Sequence, residues 1–464
     1  MLWFSIIIFI FASETKIKKA MKLFNELKLK FEKPDWSRNP EFGLIDTLLE
    51  THPELYNIVK GDILSGVQES VFGRKDNPTV EQIVRAAIYK EMKGLDYREL
   101  EFAQIDSRIC ATFIKLDERK PFCFSLYQQY ISKIKAESLQ RLMVAIIKIG
   151  IDEGLEDITK IRIDSTVVKS NIKYPTNNSL VWDCIHESHR LLEHLAEECS
   201  NIDYRDYSKN AKKTYYKINN TKSGDKRVDL FRMQLITFTK CINQVANIVK
   251  KKVDTIAGFG LQFALERLLP LMQQVYDITY QKEILGIPVP NDEKIFSIYE
   301  LHTDIIVKGS REILFGHKVN LATGKSNLIL DCEILKGNPS DVTLYQGTMD
   351  RVIENYERIP RDSSTDGGYA SLKNLEYAEK KGIVNIVFNK VKGSMQNICN
   401  SKHIETLLKK WRSGMEAVIS NLKRGYNLRV CNWKGWGHFQ AKVLWSVLSY
   451  NFRVMTALVI QRLQ

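Results

Sequence analysis

The chain has 464 residues, 44% of them hydrophobic and 10% aromatic, and carries a formal net charge of +13. That is too long for one ordinary core and apolar enough for two or three folding units, with the composition of a soluble globular protein and no low-complexity tract. The basic surplus suits a polyanionic partner, most often nucleic acid, or else reflects only a lysine-rich surface.

Eight cysteines (Cys110, Cys123, Cys184, Cys199, Cys241, Cys332, Cys399 and Cys431) are scattered with no C-x-x-C pair. This argues against a disulfide framework or zinc ribbon and fits a reducing cytoplasm. The opening "MLWFSIIIFIFA" is apolar but too short to span a bilayer, and its basic residues (Lys16, Lys18, Lys19) follow it. Residues 1–20 are therefore expected to be a doubtful leader ahead of a true start at Met21, the alternative being a membrane anchor.

From about residue 44 to 155 the pattern is helical. Thr79 with Gln82, then Asp96 with Glu99, are capping-box pairs, and Gly94 closes the first of these two helices. The short turn between them suits a helix-turn-helix that contacts DNA, or a bundle that only packs or dimerises. A strand with alternating apolar residues follows at "ITKIRIDSTVV". Beyond Pro175 the pattern turns helical again, with Val181, Ile185, Leu192, Leu195 and Cys199 as a buried stripe. The basic, tyrosine-rich stretch from Arg205 to Arg227 reads either as a nucleic-acid groove or as a solvated linker.

At Lys294 the period changes. "KIFSIYELHTDIIVKG", "ILFGHKVNLATG" and "NLILDCEILKG" read as strands, "VTLYQGTMDRVIENY" as a helix, and "RIPRDSSTDGGYAS" as a strand end running into glycines. "GIVNIVFN" is a further strand. "SKHIETLLKKWRSGMEAVISNLKRG" reads as one amphipathic helix closed by Gly425, and the tail from Trp436 to Leu463 as an apolar helix. With residues 176–289 set aside as a helical insertion, this is the element order of a ribonuclease H-like α/β core with a mixed sheet. The expected layout is a helical DNA-binding or dimerisation domain at 21–155, a core from 156–175 and 290–430, and a C-terminal helix at 431–464.

Three acidic residues stand out. Asp164 sits in the middle of an otherwise buried strand. Asp366 ends another strand beside Gly367 and Gly368, which allow a second backbone or a phosphate to approach. Glu416 lies four residues from Arg412 and seven from Lys423, so on a continuous helix all three fall within about 40° around the axis. Singly, each has an ordinary reading as a turn residue or an i, i+4 ion pair. His186, His189 and His194 near Cys184 and Cys199 offer a weak zinc pattern, with His194 turned away from His189. His302, Asp304 and His317 fall on early strands with no assigned role, Tyr369 reads as packing, and no P-loop is visible.

Together, "IRIDST", "TDGGY" and Arg412-x3-Glu416-x6-Lys423 resemble the DDE transposases of bacterial insertion sequences, in the branch with a Tyr-x2-Arg-x3-Glu-x6-Lys signature. "FGHKVNLATG" and "GNPSDVTL" are similar to its intervening strands and turn. Lys409 replaces the signature tyrosine. The resemblance implies Asp164, Asp366 and Glu416 as catalytic residues holding two Mg2+ ions, with Mn2+ as a substitute. It implies Arg412, Lys423 and the Lys409 position as DNA contacts. It also implies double-stranded DNA with terminal inverted repeats and a target DNA as partners, a homodimer in a synaptic complex, a cytoplasmic, nucleoid-associated location and no membrane. The competing functions are a ribonuclease H-like nuclease without strand transfer and a remnant that binds DNA without cutting it.

Overall fold

The computed structural model describes residues 36, 39–66, 77–116, 120–222, 224–308, 312–391, 393 and 395–463. The leader and the Met21 start lie outside them. The chain divides into two compact units, one made of residues 1–169 and 318–464 and the other of 170–317.

The first unit opens with helices α1 (Pro40–Thr51), α2 (Glu54–Ile63), α3 (Val80–Lys93), α4 (Tyr97–Asp106), α5 (Arg108–Phe113), α6 (Phe124–Ile131) and α7 (Ala136–Asp152). Both capping boxes form. Thr79 and Gln82 exchange hydrogen bonds at the start of α3, as do Asp96 and Glu99 at the start of α4. Gly94 takes a left-handed φ of 68° and ends α3, the conformation for which glycine has no steric penalty. Helix α3 is buried from Gln82 to Met92, so it is the centre of this bundle, whereas α4 exposes Phe102 and Ile105.

Strand β1 (Lys160–Ser170) leads into the sheet. Ile161, Arg162 and Ile163 in succession are buried, which marks a strand covered on both faces. After the second unit come β3 (Glu312–Thr323), β4 (Ile329–Ile334), α12 (Asp341–Tyr356), β5 (Asp362–Thr365), α13 (Leu372–Lys380), β6 (Asn385–Phe388), α14 (Lys402–Arg412), α15 (Gly414–Gly425), β7 (Val430–Cys431) and α16 (Trp436–Leu463). Strands β3 and β4 pair antiparallel, β1 and β5 pair parallel, and β5 and β6 pair parallel. With β2 (Asp304–Lys308) paired antiparallel to the start of β3, the described residues form a mixed sheet of seven strands. This is an α/β core.

Adjacent strand residues point to opposite faces, which shows how the sheet is covered. Ser363 Oγ meets the Tyr345 hydroxyl of α12 at 2.9 Å. Ser364 Oγ donates to the Leu408 carbonyl of α14 at 3.0 Å. Helices α12 and α14 therefore lie on opposite faces. Helix α16 is long and apolar enough to cross a membrane by composition, but 72% of its apolar window is buried within the protein, as befits a core helix. Its Lys442 reaches the fully buried Glu91 of α3, which Lys90 also contacts at 3.0 Å.

The second unit contains α8 (Asn177–Glu198), α9 (Ser208–Asn220), α10 (Asp225–Ile248), α11 (Ile256–Thr279) and β2. Val181, Ile185, Leu192, Leu195 and Cys199 form the buried stripe of α8. Residues 205–227, expected as a nucleic-acid groove or a solvated linker, contain the helix α9. One expectation is corrected here. The strand expected from Lys294 is confined to Asp304–Lys308, because β3 pairs with β2 only as far as Gly316 and its ladder from Val319 onward belongs to β4.

Replacing Lys442 with Met leaves Glu91 with one cation in a fully buried setting. We expect a loss of about 2–3 kcal/mol of unfolding free energy, read from urea denaturation. An unchanged midpoint would show that Lys90 alone satisfies Glu91.

Candidate active site

The parallel register of β1 and β5 aligns Ile163 with Thr365. The next residue along each chain segment is an aspartate, so Asp164, in the middle of β1, and Asp366, just past the end of β5, become neighbours. This follows from register alone. Asp366 then leads into a short 3-10 turn, Gly367–Tyr369, without capping it through its side chain. The glycines do what the sequence suggested for a close backbone: a Cβ on Gly367 would stand 2.7 Å from the Lys390 carbonyl oxygen.

Glu416 arrives differently. The helix expected to run unbroken to Gly425 is interrupted at Ser413, which divides it into α14 and α15. Arg162 occupies this joint. Its Nη1 donates to the Trp411 carbonyl at 2.6 Å, its Nε donates to Thr323 Oγ1 at 2.9 Å, and its Nη2 donates to Asn327 Oδ1. The guanidinium also stacks over the Trp411 ring. A Cβ at position 414 would overlap Arg162 Nη1, so glycine is the residue that lets the arginine in. Glu416 then sits in the first turn of α15, 71% exposed.

Arg412, the last residue of α14, gathers the three carboxylates. Its Nη1 lies 3.3 Å from Asp164 Oδ2 and 3.7 Å from Asp366 Oδ1, and its Nη2 lies 3.2 Å from Glu416 Oε1. Its Nε is buried without an acceptor among the protein groups. Asp164 is the most enclosed of the three, at 20% exposure against 49% for Asp366. The Ser165 amide donates to Asp164 Oδ1 at 2.8 Å. Burial lifts the Asp164 carboxyl from 3.8 to about 6; the Ser165 amide and Arg412 pull it back, and Asp366 and Asp341 push it up further.

The other singled-out residues fall out as follows. Lys409 pairs with Glu405 at 2.7 Å within α14, and Lys423 lies in the last turn of α15. The Tyr369 hydroxyl is buried and donates to Asn320 Oδ1 at 2.6 Å, a packing role. His189 Nδ1 contacts the Ile185 carbonyl and its Nε2 accepts from the Tyr207 amide, so both ring nitrogens serve the fold of α8. His302, Asp304 and His317 do meet. In the second unit they form a chain with Glu300, running Glu300 Oε2 to His302 at 2.8 Å, His302 to His317 at 2.7 Å, and His317 to Asp304 at 3.1 Å. Among the described residues, no group of three or more His, Cys, Asp or Glu side chains is drawn into a metal cage; the cation among the three carboxylates is Arg412.

Two residues escaped the sequence reading. Arg162 was visible as a charge two places before Asp164 in a strand too apolar to carry one at a solvated position. Asp341, in the stretch "GNPSDVTL", gave no local sign beyond opening a helix.

Residues 309–452, about a third of the chain, match the family model of the transposase DDE domain. The match spans Asp366, Arg412, Glu416 and Lys423, and Asp164 lies before it. No curated protein matches the chain, and no solved structure matches it.

Two outcomes follow for the site's stability. The folded carboxyl of Asp164 binds its proton more tightly than an unfolded aspartate, so its favourable contribution is complete below about pH 4 and is lost as pH rises through about 6. In EDTA at pH 7, Asp164→Asn is therefore expected to be more stable than wild type by about 2 kcal/mol, a gap that closes toward pH 4. Urea denaturation across that range checks it, and a gap that widens on acidification contradicts it. Gly414→Ala displaces Arg162 from the helix break and is expected to cost about 2–3 kcal/mol. Thermal denaturation beside Gly437→Ala, where a Cβ meets open space, is the comparison.

Proposed function

We propose that the chain, which carries a transposase DDE domain in residues 309–452, cuts DNA at the ends of an insertion sequence and joins the freed end to a target. The observation that carries this reading is the convergence of Asp164, Asp366 and Glu416, from three separate elements, on the one guanidinium of Arg412. Three carboxylates against one guanidinium leave an excess of negative charge at a strand edge, where open sheets collect ligands. The strand order β4-β3-β1-β5-β6, with β1, β5 and β6 parallel, supports a ribonuclease H-like core. On this reading the core is 156–175 with 290–430, 176–289 is an insertion, and 21–155 binds DNA or dimerises.

The donor set suits magnesium, a hard cation that takes carboxylate oxygens and keeps several waters. Asp164, Asp366 and Glu416 would hold it, and its chemistry is to activate the attacking oxygen and neutralise charge on the scissile phosphate. The protein's own groups do the rest. Asp164 presents a carboxylate fixed at Oδ1 by the Ser165 amide. Glu416, the most exposed of the three, adjusts to the substrate. Arg412 keeps the carboxylates together and, with its spare Nε, turns toward a DNA phosphate when DNA enters. Lys423 adds a second phosphate contact from α15. Double-stranded terminal repeats, a target duplex and a dimeric synaptic complex are the partners this reaction needs.

The test uses protein from Met21 and duplex DNA carrying both flanks of its own gene, with Mg2+ or EDTA. The expected result is nicking at defined flank positions that requires Mg2+ and falls at least 1,000-fold in Asp164→Asn, Asp366→Asn and Glu416→Gln, about 4 kcal/mol of barrier each. Joining of the nicked end to a second duplex completes the reaction. Cleavage without joining would reduce the function to a nuclease. Cleavage that survives Glu416→Gln would remove Glu416 from the site.

A further inference from the structure

A fourth carboxylate stands behind the first. Asp341, at the start of α12, lies on the sheet face opposite α14. Its Oδ1 accepts from Ser165 Oγ at 3.0 Å and from Lys318 Nζ at 3.1 Å. Ser165 is the residue whose amide holds Asp164 Oδ1. Asp341 Oδ2 points at the turn after Asp366, 3.1 Å from where a Cβ on Gly368 would be. One side chain thus touches both the residue that holds Asp164 and the turn that carries Asp366. Lys318 is 10% exposed and also donates to the Pro339 carbonyl at 2.7 Å, so the clamp is anchored to β3 and to the loop before α12.

An ordinary role for Asp341 would be to cap its own helix. The contacts are different. Ser340 is the cap residue and its side chain makes no capping hydrogen bond, while Asp341 Oδ1 is engaged by Ser165 and Lys318. An oxygen that accepts a serine hydroxyl from β1 and a lysine from β3 ties two strands together rather than closing a helix end.

We infer that Asp341 is a positioning residue of the carboxylate site: through Ser165 and the Gly368 turn it sets where Asp164 and Asp366 present their oxygens to a divalent cation. The inference rests on the proposed function for the identity of the site. Groups that orient metal-binding side chains in this way are worth about 10- to 100-fold in affinity or rate when removed.

The experiment measures Mn2+ binding calorimetrically on metal-stripped full chain, with cleavage of flank DNA and thermal melting alongside. Asp341→Ala is expected to weaken Mn2+ binding about tenfold and slow single-turnover cleavage by about 10- to 100-fold, with the melting temperature of metal-free protein little changed. Asp341→Asn, which keeps an acceptor for Ser165, is expected to stay within about threefold of wild type. Ser165→Ala should mimic Asp341→Ala, and the double variant should be no worse than either, because both act on one path. Loss of melting temperature with Mn2+ affinity intact would make Asp341 a helix-stabilising residue and overturn the inference. So would effects of Ser165→Ala and Asp341→Ala that add, or Asp341→Asn as damaged as Asp341→Ala. Wild type that binds Mn2+ but cuts no DNA would sink the proposed function while leaving the Mn2+ comparison to decide the role of Asp341. Wild type that does neither would overturn both.

Discussion

The site depends on a buried arginine that never touches a carboxylate. Arg162 is 1% exposed and gives its donors to a threonine hydroxyl, an asparagine oxygen and a backbone carbonyl. Burial drops its guanidinium to about 10, so enclosure of the charge carries a real cost. What that cost accomplishes is geometric. Arg162 donates to the Trp411 carbonyl at the joint where the chain divides into α14 and α15, and Gly414 leaves the space it fills. The break sits between Arg412 and Glu416, which sets the cation and the third acid relative to the strand that bears Arg162 and Asp164. A strand residue and a helix joint are thereby held by one side chain.

Charge balance explains the other half. Asp164 is enclosed and flanked by acids, a costly place for a negative charge. Arg412 offsets part of that cost by contacting all three carboxylates, without providing enough positive charge to neutralise them. The protein therefore folds with an electrostatic deficit concentrated at one strand edge. Functional sites commonly trade stability for such deficits, and three of the four groups gathered here, Asp366, Arg412 and Glu416, fall within the stretch that matches the transposase DDE domain.

Much of this was legible locally. The caps of α3 and α4 depend on residues three apart, and Gly94 on a single backbone angle, so sequence rules reached them. The period of "IRID" marked β1, and the Arg-Glu-Lys spacing marked Glu416 although the helix bearing it is broken. The break itself was invisible, because the side chain that occupies it, Arg162, is 249 residues away from Trp411. Asp341 was invisible for the same reason, being 176 residues from Ser165. The overlong strand from Lys294 shows a different limit. Its residues suit a strand, but a strand needs an open ladder, and only the pairing along β3 reveals how much of it is free.

The three acids also differ in how firmly they are held, and the difference follows from their elements. Asp164 is on a central strand, enclosed, and fixed through the amide of its neighbour. Asp366 sits one residue past a four-residue strand, on a turn whose glycines are pressed against Lys390 and Asp341. Glu416 projects from the first turn of a helix and meets Arg412 on the preceding helix. Exposure rises along that series, from 20% through 49% to 71%. The reaction proposed above, which cuts one DNA strand and then joins its end to another, would have to accommodate two substrates at one site. On the proposed function, the enclosed Asp164 would be the constant reference point and the exposed Glu416 the adjustable arm, and Arg412, in contact with both, is the side chain through which movement of one would reach the other.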